Sequence, residues 1–95
     1  MIEVVRRPGD DPLTFDVVVR EDGEETSHRV TISPPYLARL APRQPPERCI
    51  EAAFRFLLDR EPRQAILRRF DVAIIARYFP EFERALPRYL GDAAP

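Results

Sequence analysis

Few side chains in these 95 residues can act as nucleophile, base or metal ligand: one histidine (His28), one cysteine (Cys49), two serines (Ser27 and Ser33) and three threonines (Thr14, Thr26 and Thr31). A hydroxyl or thiol nucleophile needs an adjacent base, itself held by a third group. No convincing dyad or triad assembles from this set. One cysteine closes no internal disulfide and holds no metal alone. The acidic run EDGEE at 21–25 has neither the alternating oxygen ligands nor the twelve-residue spacing of a calcium loop. Glu81 and Glu83 stand two apart on a helix and so do not face each other. The three glycines are scattered and form no phosphate cradle. The expectation is a protein that is not an enzyme and has no cofactor and no metal site.

The elements that would carry these residues read in two halves. FDVVVREDGEETSHRVTI is two alternating runs joined by Asp22-Gly23, a pair suited to the positive dihedrals of a type I′ hairpin turn. That turn sets Glu21 opposite Glu24, Arg20 opposite Glu25, Val17 opposite His28, Phe15 opposite Val30 and Leu13 opposite Ile32. Leu13, Phe15, Val17 and Val19 then share one face with Ile32, Val30 and His28. The other face sets Asp16 against Arg29. His28 is therefore expected to face the core in a structural role. Ile2 to Arg6 adds a third antiparallel strand beside Phe15 to Val19.

Beyond Ser33 the apolar period lengthens to that of a helix, and prolines punctuate the chain. Ser33 is expected to cap a short helix over Pro35 to Leu40. A central helix begins near Pro46 and ends before Pro62, with Cys49, Ile50, Ala53, Phe54, Phe56, Leu57 and Leu58 on a wide apolar arc. On that arc Cys49 behaves as a small buried hydrophobe. A short third helix is expected over PRQAILRRF and a fourth, capped by Asp71, over VAIIARYF. Pro80 opens a fifth that Pro87 kinks or breaks and Gly91 ends. The fold class is thus α+β in a single domain, 1–95: a three-stranded antiparallel meander over 1–33, a layer of short helices over 34–90 on one face, and a frayed tail over 91–95.

All 15 basic residues are arginine, which with 11 prolines fits a coding sequence rich in G and C, a bacterial-like composition. Net charge is only -1, but residues 1–33 carry four Arg against eight acids and residues 34–95 eleven against eight. RVTISPPYLARL followed by PERCIEAAFRFLLDRE resembles the strand, short helix and longer helix of ribbon-helix-helix DNA-binding proteins. The resemblance spans about a third of the chain and implies that Arg29, Thr31 and Ser33 enter the major groove. AILRRFDVAIIARYF resembles a helix-turn-helix in its apolar rhythm. Arg63, Arg68 and Arg69 are expected to form a further, modest basic patch around the third helix. Against tight binding stands the overall charge, since phosphate neutralisation drives such affinity.

The second class of partner is protein. RYFPEFERALPRYL crowds Tyr78, Phe79, Phe82 and Tyr89 into one segment, and aromatic residues beside arginine are the composition of interface hot spots. Phe79 and Phe82 are expected to point inwards, with Tyr78 and Tyr89 at the rim. The sequence has no stretch long and apolar enough for a membrane span and no apolar leader, so a cytoplasmic location without a membrane partner is expected. The function expected is a non-enzymatic interaction or accessory module that binds a protein partner or itself as a homodimer. The alternative is weak nucleic-acid binding.

Overall fold

The computed structural model describes residues 1–91, so most of the tail expected to fray, 92–95, lies outside the described residues. Asp22 at φ 54° and Gly23 at φ 80° supply the left-handed pair that a type I′ turn requires. They join β2 (Leu13–Glu21) to β3 (Glu24–Ile32), and β1 (Ile2–Arg6) runs antiparallel along the far side of β2. The hairpin register is the expected one in every pair from Leu13 with Ile32 to Glu21 with Glu24. Leu13, Phe15, Val17, Val19, His28, Val30 and Ile32 are buried on one face of the sheet.

That face is covered by helices, giving the α+β architecture. Ser33 caps α1 (Pro34–Leu40), its hydroxyl accepting the Tyr36 amide at 3.3 Å. α2 (Pro46–Leu58) buries Cys49, Ile50, Ala52, Ala53, Phe54, Phe56 and Leu57, and packs against both β1 and α4 (Phe82–Leu90). In α4, Phe82, Leu86 and Leu90 recur at four-residue spacing and are buried with Ala85, and Gly91 ends the helix at φ 79°.

Two expectations require correction. No third helix forms over PRQAILRRF: a single 3-10 turn at Arg63–Ala65 gives way to extended backbone at Ile66 and to a fourth strand, β4 (Arg69–Asp71), parallel to β3. The sheet order is β1-β2-β3-β4. A parallel neighbour needs a long crossover, and α1 and α2 are that crossover. An open strand edge leaves backbone groups unpaired, and β4 partners those of β3 over Arg29 to Thr31. The Arg29 amide, for example, donates to the Arg68 carbonyl at 2.7 Å. Secondly, Pro87 does not break α4, which runs through it. Proline removes only the bond to the Glu83 carbonyl, on an exposed side, while the buried stripe on the opposite side holds the helix in place. After β4, Asp71 caps a 3-10 turn (Val72–Ile74) by accepting the Ala73 amide at 3.0 Å, and a one-turn α3 (Ile75–Tyr78) follows. Among the described residues no helix is long and apolar enough to cross a membrane.

Candidate functional site

The helices leave the other face of the sheet uncovered, and the positions implied by the ribbon-helix-helix resemblance lie along it. Each is engaged within the chain. Arg29 donates to Asp16 at 2.9 Å, Thr31 donates to Asp71 at 2.7 Å, and the Ser33 hydroxyl is the cap of α1. The bond from Arg29, with the positive charges of Arg29 and Arg7, holds the Asp16 carboxyl below its ordinary value despite partial desolvation. Along this face Arg7, Arg20, Arg29 and Arg69 alternate with Glu3, Asp16, Glu25 and Asp71, so its formal charge balances. β3 is paired with β2 along its length and with β4 over Arg29 to Thr31, so beside Arg29 and Thr31 its edge is already taken and leaves no place there for a second chain's ribbon. The segment resembling a helix-turn-helix contains a strand, β4, where its turn should be.

The arginine patch is split. Arg63 is only 9% exposed and reaches back to the hairpin tip, 2.8 Å from Glu24 and 3.7 Å from Glu21. Those two glutamates face each other across the strands, and like charges so placed repel. Arg63 lies against both, so it is a structural clamp. Arg68 and Arg69 are exposed.

The C-terminal aromatics divide in a similar way. Phe82 is buried. Phe79, Phe82 and Tyr89 all meet the Phe56 ring edge-on, with centroids 5.8 Å, 5.0 Å and 5.8 Å away, a favoured geometry for aromatic pairs. Arg60 stacks on that ring, 3.6 Å from its centroid, and donates to Glu81 at 3.1 Å. Tyr89 donates its hydroxyl to Asp59 at 2.6 Å and accepts from Arg60. Tyr89 is thus half-buried in a clasp between α2 and α4 rather than a free rim residue. Tyr78 alone of the four stays open, at 66% exposure.

Tyr78 stands on the wall of an apolar groove of about 260 Å³. One side is the end of α2 and the turn after it, with Leu57 and Glu61; a second is Ala65, at the end of the 3-10 turn, and the segment after it with Ile66, Leu67 and Phe70; the third is Ile74, Ile75, Tyr78 and Phe79. Leu67 is half exposed at its edge. Small-molecule sites usually run from ~300 to ~1,000 Å³, so this groove is sized for one or two large side chains rather than a cofactor. Arg68, Arg69 and Arg77 adjoin the lining residues in the chain and are exposed. Of this site, the sequence alone points to Tyr78, Phe79, Arg68 and Arg69 and misses Arg77. The helices expected there give Leu67 and Ile74 no open place, because their position depends on β4.

His28 and Cys49 lie elsewhere. The His28 ring is 4% exposed, edge-on to Phe54, with Nδ1 2.8 Å from the Leu67 carbonyl and Nε2 2.9 Å from the Thr26 hydroxyl. A carbonyl only accepts, so Nδ1 carries the proton and Nε2 accepts from Thr26. Burial pushes the ring's pKa down, only partly opposed by the Leu67 bond, and the charge of Arg68 lowers it further. Burial pushes the Cys49 thiol up to about 11. Among the described residues no three His, Cys, Asp or Glu side chains gather as a metal site. Comparison with protein-family models, with curated proteins and with solved structures finds no match to this chain.

Proposed function

We propose that this protein is a non-enzymatic, cytoplasmic interaction module that docks a protein partner by taking one or two of its large apolar side chains into the groove between α2, β4 and α3. The observation that carries this reading is the pairing of an open apolar groove with two large hydrophobic residues, Leu67 and Tyr78, held at least half exposed at the same place. Each buried side chain of Leu or Phe size contributes ~1.5–3 kcal/mol. Two of them supply ~3–6 kcal/mol before the cost of association is met, so polar contacts at the rim must contribute as well and recognition is expected to be weak and transient. Nucleic-acid binding finds less support, because the uncovered sheet face is charge-balanced and Arg63 is used internally.

The test is selection of a random twelve-residue peptide library against the whole protein, followed by NMR titration of the enriched peptides. Amide shifts concentrated at Leu67, Phe70, Ile75 and Tyr78, with binding lost on Leu67→Gln, are expected. Absence of enriched peptides, or binding that Leu67→Gln leaves intact, would remove the groove as the docking site.

A further inference from the structure

We infer that the segment docking in this groove is acidic, with Asp or Glu flanking the apolar side chains it inserts; this rests on the docking function proposed above. The charges around the groove are uneven. Glu61 is the one acid among its lining residues. Arg68 follows Leu67, Arg69 precedes Phe70 and Arg77 precedes Tyr78; all three are exposed, and among the described residues none has a carboxylate partner. The acid nearest to Arg68 and Arg69 in sequence, Asp71, is occupied by the Thr31 hydroxyl and the Ala73 amide.

The sheet sharpens this imbalance. Arg69 lies directly beside Arg29 in the β3–β4 register, and like charges so placed repel unless an anion meets them. Asp16 answers Arg29 from the far side, in β2, while Arg69 has no carboxylate partner among the described residues. Arg68 lies on the helical side, where its charge is felt by the His28 ring. The groove therefore has cations on both sides of the β4 edge. A second copy of this chain would bring its own Arg68, Arg69 and Arg77 against them, which disfavours a symmetric homodimer through this face. An acidic segment of a different protein gains at each of these contacts.

Peptides from the twelve-residue library, synthesised with a fluorophore and titrated against the full chain by anisotropy, test this. Enrichment of acidic residues beside Leu, Phe, Tyr or Trp is expected. The paired change Arg68→Glu and Arg69→Glu should weaken binding about tenfold, Glu61→Gln should strengthen it about twofold, and going from ~50 to ~200 mM salt should weaken it severalfold. Thermal melts of the same variants check that the fold is kept. Peptides that are neutral or basic, or whose affinity ignores the arginine changes while still requiring Leu67, would overturn the acidic partner and leave the docking function standing. Binding indifferent to Leu67→Gln would remove both. Groove-dependent dimerisation in sedimentation, or displacement of the peptide by mixed-sequence DNA at ~200 mM salt, would also overturn the inference, the second by making the arginines a nucleic-acid site.

Discussion

Truncation of Arg63 separates what its charge and its buried stem contribute at the hairpin tip. Its guanidinium lies 2.8 Å from Glu24 and 3.7 Å from Glu21. At the dielectric of water, unit charges so spaced attract by about 1.5 kcal/mol and about 1.1 kcal/mol respectively. Glu21 and Glu24 are 47% and 74% exposed, so the lower values typical of solvated pairs, ~0.2–1 kcal/mol each, apply. Losing the guanidinium also restores the repulsion between the two glutamates, a similar amount. Arg63→Ala further removes two buried methylenes at ~0.8 kcal/mol each, and the total expected loss is about 2–4.5 kcal/mol. Arg63→Met keeps the apolar length and removes a guanidinium whose buried Nε has no hydrogen-bond partner, which offsets part of the loss. It should cost about 1 kcal/mol or less by that balance. Urea unfolding at neutral pH measures both, and repetition in ~0.5 M salt should shrink the charge part and leave the packing part. A loss under ~1.5 kcal/mol for Arg63→Ala, no more than its two methylenes account for, would mean that the clamp contributes little. An equal loss for both variants would refute the division into stem and charge.

Three further outcomes are expected. Because burial holds the His28 pKa below its ordinary 6.5, the unfolded chain takes up this proton first, so stability is full above that pH and falls as the pH drops through the folded value. Urea midpoints at about pH 7.5 and about pH 5.0 should differ more for wild type than for His28→Gln, and equal differences would contradict the buried neutral ring. Cys49, with its thiol raised to about 11, should react with a thiol reagent only as fast as the protein opens; immediate reaction of the native protein would place it at the surface. Pro87→Ala should restore a helical amide opposite the Glu83 carbonyl and stabilise α4 by ~1–3 kcal/mol, and a lower melting temperature would show that proline's fixed φ matters more there.

Legibility of the fold follows the range of the interactions that decide it. Asp22-Gly23 fixes its turn locally, and alternation on both sides then fixes register, so Val17 with His28 and Asp16 with Arg29 are readable from neighbours in the chain. Ser33, Asp71 and Gly91 are likewise local signals, and each caps or ends a helical turn as its residue type implies. β4 is not readable: Ile66, Leu67 and Phe70 fit a helical period as well as an extended one, and three residues are too few for alternation to show. What makes them a strand is the open edge of β3, which lies 40 residues earlier in the pairing of Thr31 with Asp71. The groove depends on β4, so it is hidden with it. The aromatic residues are visible, but the sorting of Tyr89 into the clasp with Asp59 and Arg60 depends on contacts 30 and 29 residues distant.

β3 therefore shapes one wall of the proposed docking site without lining it. The segment from Arg63 to Asp71 has little regular structure of its own, one 3-10 turn and a three-residue strand. It is fastened to β3 along its length: Arg63 to Glu24, the Leu67 carbonyl to His28, the Arg68 carbonyl to the Arg29 amide, and Asp71 to Thr31. These tethers fix the backbone so that Ile66 turns into the core while Leu67, one residue on, faces out at the groove. The Leu67 tether is the informative one, since the histidine holds the carbonyl of the very residue whose side chain stands half exposed at the groove. A neutral His28 donates through Nδ1 and accepts through Nε2, satisfying Leu67 and Thr26 at once; a protonated ring has a second donor, and Thr26 must turn its hydroxyl to meet it. The only histidine of the chain thus acts on the groove through the backbone, and replacing it should loosen Leu67 while leaving the charged rim in place.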